Sequence, residues 1–319
     1  MAHSVLVTGA NGFVGNVLCG QLVTQGYSVK AAVRLTDVSI ENVNIFVSGN
    51  VDAATDWSTA LNSISTVIHL AARVHVMNDP ATDRLAAFRK VNVDATFNLA
   101  RQAASAGVKR FIFMSSVKVN GEFTEVGKPF TEELLANPQD AYGISKHEAE
   151  QGLFEIAQQT GMEVVIIRPP LVYGVGVKAN FASMMRVVKR GIPLPLGAIH
   201  NKRSFVYVGN LVSLIVRCVD HPAAANQVFL VSDGHDLSTT ELLQGCAVAL
   251  GVKAKLLPVP QKLIEVGAAM LGKQNVVQRL CGNLQVDITK AQTLLDWVPP
   301  FSVEQGLKAT AGSFLNIGS

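Results

Sequence analysis

Gly9, Gly12 and Gly15 stand three residues apart between a short apolar run and a helical pattern, and no other stretch constrains the fold as much. The run Val5-Leu-Val7, inside a strand expected from Ser4 to Val7, shows no alternation of polar and apolar residues. A strand covered on both faces of a parallel sheet reads this way. From Phe13 to Leu22 the pattern is helical. Glycines at such a turn let backbone N–H groups close on a pyrophosphate, whose charge the helix N-terminus favours. The spacing alone is weak in a chain with 26 glycines. Its place between a strand and a helix makes Gly9, Asn11, Gly12, Phe13, Val14 and Gly15 candidate dinucleotide contacts.

The alternation continues. Strands are expected at Tyr27–Val33, Ile45–Val47, Thr66–Leu70, Arg110–Ser116 and Glu163–Arg168, with long helices over 83–106 and from Tyr142 to about Thr160. The pattern predicts an α/β fold, a Rossmann-type doubly wound parallel sheet with a smaller C-terminal substrate-binding lobe. Its expected parts are 1–168 and, after Pro and Gly become frequent, mainly 169–319, with some segments of the latter returning to the first part. Ligands of such sheets bind at the carboxyl ends of the strands. That edge offers Asn50 and Val51 after the third strand, and Leu70, Ala71, Ala72, Arg73 and His75 after the fourth. His69 lies inside an apolar strand and reads as a packed core histidine. The second strand ends not in the acid of an NAD site but in Arg34, whose guanidinium suits a 2′-phosphate, so NADP(H) is favoured over NAD(H).

Tyr142 and Lys146 are i and i+4 in the helical stretch after Pro138, so both can face one cleft. A free tyrosine, with a pKa of about 10, is a poor proton carrier at neutral pH. A fixed cation nearby stabilises the phenolate and brings that pKa toward the working range. Ser116 ends the fifth strand at the edge shared with the glycine loop. A helical Tyr/Lys pair or a strand-end serine is common alone. Together with the loop they form a candidate catalytic set of Ser116, Tyr142 and Lys146.

Composition narrows the alternatives. With 319 residues, 49% hydrophobic and 16% charged, the chain can fill a large core and is not disordered. A formal net charge of +3, taken as evenly scattered, implies neither nucleic acid nor membrane partners. Cys19, Cys218, Cys246 and Cys281 show no metal-ligand spacing, so reduced thiols, no metal and a cytoplasmic location are expected. No leader segment precedes the first strand, and the apolar runs are too short to span a bilayer.

With these residues in place, the chain resembles the extended short-chain dehydrogenase/reductases of the nucleotide-sugar epimerase/dehydratase branch over almost its whole length. The resemblance rests on Thr8-Gly9-x-x-Gly12-x-x-Gly15, His69-Leu-Ala-Ala72, Asn92-Val-Asp, Ser115-Ser116 before Gly121 and Tyr142-x-x-x-Lys146. It continues through Arg168-Pro-x-x-Val172-Tyr-Gly174, Asn180, Arg203-Ser-Phe-Val-Tyr-Val208 and Leu295-Asp-Trp297. It implies a UDP-sugar substrate and an NAD(P) cofactor touched also by Asn92 and Pro169. Tyr142 would be the acid/base, Ser116 would bond the reacting sugar oxygen, and Lys146 would bind the nicotinamide ribose and depress the tyrosine pKa. Asn92 would hold a water or backbone near Lys146. Asn180, Arg203 and Arg279 would bind the UDP part, with Arg73, His75 and Lys118 as further substrate contacts. A homodimer through the helices 83–106 and 142–160 is also implied.

Departures from the family pattern refine this. Sugar 4,6-dehydratases carry an Asp-Glu pair where this chain has Val117 and Lys118, which excludes dehydration. The 4-epimerases show Tyr where Asn120 stands and an acid where Arg34 stands. The resemblance is nearest to UDP-N-acetylquinovosamine dehydrogenases of surface-polysaccharide synthesis. The expectation is therefore an NAD(P)-dependent UDP-sugar 4-oxidoreductase acting on a UDP-4-keto-6-deoxy-N-acetylhexosamine. The alternative is a UDP-glucose or UDP-N-acetylglucosamine 4-epimerase using the same three residues. A non-catalytic NADP-binding scaffold, or a reductase of small aromatic or steroid ketones, fits these residues less well.

Overall fold

β1 (Ser4–Thr8) runs through the glycine turn into α1 (Phe13–Thr24), and strand and helix then alternate as the sequence pattern predicts. β2 (Ser28–Val33), β3 (Asn44–Val47), the single turn α2 (Ser58–Leu61) and β4 (Thr66–His69) follow. Next come α3 (Arg84–Arg89), a π-helical turn at Lys90–Asp94, and α4 (Ala95–Ser105). β5 (Arg110–Met114), α5 (Ala141–Thr160) and β6 (Glu163–Arg168) complete this half. The computed structural model describes residues 3–36, 38–74, 82–270, 272 and 274–315.

All seven strands of the main sheet are parallel, in the order β3-β2-β1-β4-β5-β6-β9, the last being Gln227–Leu230. The chain leaves β1 toward β3, then crosses back to β4 and continues the other way, so the order reverses between β1 and β4. A crevice opens at such a switch point, beyond the carboxyl ends of the strands. Thr8 and His69 are register partners there.

Successive strand side chains point to opposite faces, so each strand feeds two cores. Val5, Val7, Ile68, Ile112, Val165 and Ile167 pack under α1 and the later helix α7 (Val208–Asp220). Leu6, Val67, Phe111, Phe113, Val164 and Ile166 pack under α4 and α5, with Leu99 and Leu153. Burial on both sides accounts for the unbroken apolar runs in the sequence.

Beyond β6 the chain forms β7 (Leu171–Tyr173), α6 (Ala179–Lys189), β8 (Phe205–Tyr207), α7 (Val208–Asp220) and β9 (Gln227–Leu230). α8 (Thr239–Ala249), α9 (Gln261–Met270), α10 (Gln274–Cys281), α11 (Thr289–Leu295) and α12 (Val303–Leu315) follow. β7 and β8 pair as a small separate sheet. A third core gathers Tyr173, Phe181, Met185, Leu243, Cys246 and Leu307 from these elements.

The sequence pattern does not predict β9, which returns from this half to the edge of the main sheet beside β6. Asn226, at φ +58°, turns the chain into it and accepts a 3.0 Å bond from Val164 N. The signal was a short apolar run, Val228-Phe-Leu-Val231, between that asparagine and Gly234.

Candidate functional site

The glycine turn brings the ends of β1 and β4 into contact. Gly9 has φ +66°, and a Cβ there would lie 2.9 Å from Ala71 N. A Cβ on Gly15 would lie 2.3 Å from Gly9 O, so the first turn of α1 is folded against the loop. α1 begins at Gly12 with no side-chain cap and no acidic residue in its first turn. Its free N–H groups therefore present a positive end without a competing anion. This cradle fits a dinucleotide pyrophosphate. Asn11, Phe13 and Val14 lie on the same loop and first turn. Arg34 and Asn50 stand exposed just after β2 and β3 on this edge, with Val51 partly buried.

A chain of polar contacts runs from this loop to the tyrosine helix. Ala71 N donates to Thr8 Oγ1 at 3.2 Å, and Thr8 Oγ1 lies 2.7 Å from His69 Nδ1. His69 Nε2 lies 3.0 Å from Thr96 Oγ1, which itself donates to Asn92 O at 2.8 Å. Since Thr96 spends its proton on that carbonyl, His69 must donate through Nε2 and accept from Thr8 through Nδ1. Burial, reinforced by the Lys146 charge, pulls the His69 pKa down to about 3. The ring is neutral and structural, as its place in the strand suggests. Leu70 and Ala72 flank Ala71 along this edge, half-buried.

Asn92 sits in the π turn, and its amide faces the main chain of Arg73. Arg73 N donates to its Oδ1 at 2.8 Å, and its Nδ2 donates to Arg73 O at 3.0 Å and to Ser145 Oγ at 3.0 Å. It thus holds a backbone segment, one of the two roles expected, and locks the end of β4 to the helix of Tyr142 and Lys146. The Arg73 guanidinium lies over the Phe88 ring at 5.7 Å, and Phe88 meets the Tyr142 ring edge-on at 5.9 Å.

The expected triad assembles. Asp140 caps α5 by accepting from Gly143 N at 2.7 Å. Tyr142 and Lys146 project from one face, with Lys146 Nζ 6.0 Å from the phenol ring centroid. Ser116 lies just past β5, near enough to the phenol for its hydroxyl to lower the phenol's pKa. Lys146 is buried, donates to Met114 O at 2.8 Å and stands 4.3 Å from the Phe113 ring centroid.

The electrostatics differ from the sequence expectation. Burial pushes the Tyr142 phenol up to about 12, with the Asp140 charge adding to it and Ser116 opposing. Burial also pulls Lys146 down to about 7, against the pull of Glu150. A cation beside a phenol should lower its pKa, but desolvation disfavours both charged forms and moves the two groups in opposite directions. The expected depression of the tyrosine pKa by Lys146 is not what these surroundings produce.

A buried ion pair braces the floor. Arg168 donates to Glu150 through Nε at 2.9 Å and Nη2 at 2.6 Å, and to Asn120 Oδ1 through Nη1 at 3.1 Å. Ser115 Oγ donates to the same carboxylate. Val117 N donates to the Pro169 carbonyl at 3.0 Å, so the β5 and β6 ends are tied on either side of Ser116. No motif in the sequence marks Glu150. The signal was there: Tyr142, Lys146 and Glu150 follow at intervals of four on one helix face.

Lys118 is neither free in solvent nor alone. Its Nζ is paired with Asp140 and, at 3.1 Å, with Glu122. On the other side, Asn180 lies in the first turn of α6. Arg203 is half-buried and donates to Gly282 O at 3.0 Å, just beyond α10. Burial lowers its pKa, a cost that an anionic ligand offsets. Arg279 is exposed in the last turn of α10. His75 lies outside the described residues.

Residues 5–232 match the family described as NAD dependent epimerase/dehydratase. A protein of Vibrio cholerae named UDP-glucose 4-epimerase is 51% identical over 317 residues, covering 99% of this chain and 96% of that one. A crystal structure of UDP-glucose 4-epimerase with UDP-glucose from Thermotoga maritima superposes with a TM-score of 0.78 at 25% identity, covering 99% of this chain and all of the other. A UDP-glucuronic acid 4-epimerase from Bacillus cereus, in complex with NAD, shares the fold with a TM-score of 0.79 at 21% identity, covering 99% of this chain and all of that one.

Proposed function

We propose, for a chain that belongs to the NAD dependent epimerase/dehydratase family, the inversion of a UDP-sugar at C4, with UDP-glucose as the first substrate and UDP-N-acetylglucosamine as the second. The observation that carries this reading is the likeness to the Vibrio cholerae protein along nearly the whole of both chains. Net reduction of a UDP-4-keto-6-deoxy-N-acetylhexosamine, favoured by the sequence motifs, gives way to it. The Asn120 and Arg34 departures that argued against an epimerase are found in a chain closely similar to one named as such.

In this reading Tyr142 exchanges the proton of the C4 oxygen. As C4 is oxidised its phenolate takes the proton of the C4 hydroxyl, and the phenol so formed returns that proton to the carbonyl oxygen when C4 is reduced again. Ser116, beside the phenol, orients the same oxygen and favours the phenolate that takes the proton. Lys146 is held by Met114 O beside the phenol and supplies the cation that steadies that charge. The chemistry that bound NAD supplies is reversible hydride acceptance, so no net oxidant is consumed. The glycine loop, Arg34, Asn50, Val51, Leu70–Ala72, Asn92 and Pro169 are the proposed cofactor surround. Arg73, Lys118, Asn180, Arg203 and Arg279 form the proposed substrate side, drawn mainly from 169–319.

The family description supports NAD as the cofactor. The argument for NADP rests on Arg34 alone, and comparison of NAD and NADP binding in the protein and in Arg34→Ala separates the two. Four buried free cysteines support a reducing, cytoplasmic setting. Pairing of two copies through the helices 83–106 and 142–160 rests on the family resemblance alone, and light scattering tests it. The function itself is tested by incubating the protein with UDP-glucose or UDP-N-acetylglucosamine and catalytic NAD, then resolving the C4 epimers. Stoichiometric oxidation of NADH or NADPH by a UDP-4-keto sugar, with no epimer formed, would overturn it.

A further inference from the structure

α9 and α10 are apolar on two sides. Inward, Ala268, Val277 and Cys281 are buried in the third core, with Ile264 packed against it. Outward, Leu263, Val266 and Met270 follow at i, i+3 and i+7 along α9 and are 62%, 57% and 83% exposed. Val276 on α10 and Leu257 just before α9 add 53% and 51%. A helix that is apolar all round normally has a partner on each side. Val126 and Val248, by contrast, are exposed apolar residues that stand alone on the chain.

Charge gathers at the same place. Residues 251–286 carry Lys253, Lys255, Lys262, Lys273 and Arg279 against one acid, Glu265, a net of +4 where the whole chain has +3. The balance of the chain is therefore nearly neutral, and its positive charge is not evenly scattered. Lys253, Lys255, Lys262 and Arg279 are all exposed. The patch is also held in place at one end. Asn201 Nδ2 donates to Leu280 O at 3.2 Å and Gly282 O at 2.9 Å, which fixes the end of α10 to the body.

We propose that the outer face of α9 and α10 is a membrane-surface site, which lies on an anionic lipid bilayer with Leu263, Val266 and Met270 in the acyl boundary. No described helix is long and apolar enough to cross a membrane, and an interfacial helix has no need to be. Basic side chains around an apolar stripe meet anionic headgroups and hydrocarbon together. A second copy of this chain is the poorer occupant, since a two-fold contact would set these lysines against their own copies. Nucleic acid would leave the apolar stripe without a partner.

The test is co-sedimentation of the intact protein with vesicles of phosphatidylglycerol and phosphatidylcholine, against vesicles of phosphatidylcholine alone, and does not depend on the enzymatic reaction. Binding to the anionic vesicles, weakened by salt, is expected. Leu263→Gln, Val266→Gln and Met270→Gln together should weaken it by about tenfold or more, and Lys253→Glu with Lys262→Glu by a similar factor. Val248→Gln, an isolated exposed site, should leave it unchanged. Unaltered circular dichroism of each variant separates loss of binding from loss of fold. Absence of binding to anionic vesicles overturns the proposal, as does equal binding by the triple variant. Self-association that the triple variant abolishes, without vesicle binding, assigns the face to a second copy instead.

Discussion

Glu150 and Arg168 form a two-pronged ion pair behind the strand end that carries Ser116, with side-chain exposures of only 3% and 8%. Removing one member strands the other charge in the interior, which costs more than the pair contributes when intact. Glu150→Ala is therefore expected to lower the unfolding free energy by about 3–5 kcal/mol. Glu150→Leu with Arg168→Met should recover most of that loss. Denaturant unfolding of the three variants checks both values. A double variant as unstable as the single one would show that Ser115 and Asn120, left without partners, carry the cost.

Ser116 stands beside the Tyr142 phenol and opposes the upward push that burial gives its pKa. Tyr142→Phe keeps the ring against Phe88 and removes only the hydroxyl. Turnover of UDP-glucose should fall by about 10²–10⁴-fold, the usual worth of a positioned proton carrier. Affinity for NAD, measured by titration, should hardly change. Loss of both would mean that the phenol supports the fold of the cleft rather than the reaction.

Asp140 has two tasks, capping α5 through Oδ1 and meeting Lys118 through Oδ2. Its charge also raises the Tyr142 pKa. Asp140→Asn keeps a good capping residue, so stability should change by less than about 1 kcal/mol. The charge is lost, however, and the tyrosine pKa must fall. The ascending limb of the pH–rate profile should then move to lower pH. Lys118→Met leaves the Asp140 charge less balanced and should move the same limb to higher pH. Parallel shifts in both variants would remove Lys118 and Asp140 from any part in setting the tyrosine.

The cleft was legible where spacing and chemistry coincide. The glycine loop sits at a strand-to-helix junction, and Tyr142 and Lys146 share a helix face, so local periodicity was enough to find them. Each expected strand and long helix up to β6 falls within a residue or two of its bounds, since strands buried on both faces read as unbroken apolar runs, while the single turn α2 was not expected. What was not legible depends on contacts distant in sequence. Arg168 meets Glu150 and Asn120 only after β6 lies beside β5, and β9 is short enough that four residues carry little pattern. The pKa of Tyr142 was misjudged for a related reason. Spacing shows that a lysine is near, and only the packed structure shows how dry both groups are.

His69 makes acid sensitivity a direct consequence of the switch-point geometry. Its two ring nitrogens are taken by Thr8 and Thr96, and burial holds its folded pKa at about 3 against an ordinary 6.5. Above 6.5 the ring is neutral folded or unfolded, and its contribution to stability is complete. Between 6.5 and 3 the unfolded chain binds a proton that the folded chain refuses, so stability is lost as the pH falls, by about 1.4 kcal/mol per pH unit within the window. His69→Gln retains one donor and one acceptor but does not titrate. Unfolding free energies at pH 6.5 and pH 5 should therefore drop further in the parent protein than in His69→Gln, by roughly 1.5–2 kcal/mol. Lys146, whose folded pKa of about 7 lies below its ordinary 10.5, acts on the other side of neutrality. It destabilises while charged, and that penalty lifts as the pH rises from about 7 toward 10.5, so below pH 6.5 the penalty is constant and adds little pH dependence. Equal acid losses in the parent and His69→Gln would mean that the ring accepts its proton in the folded state, and that Thr8 and Thr96 do not fix it as a neutral bridge.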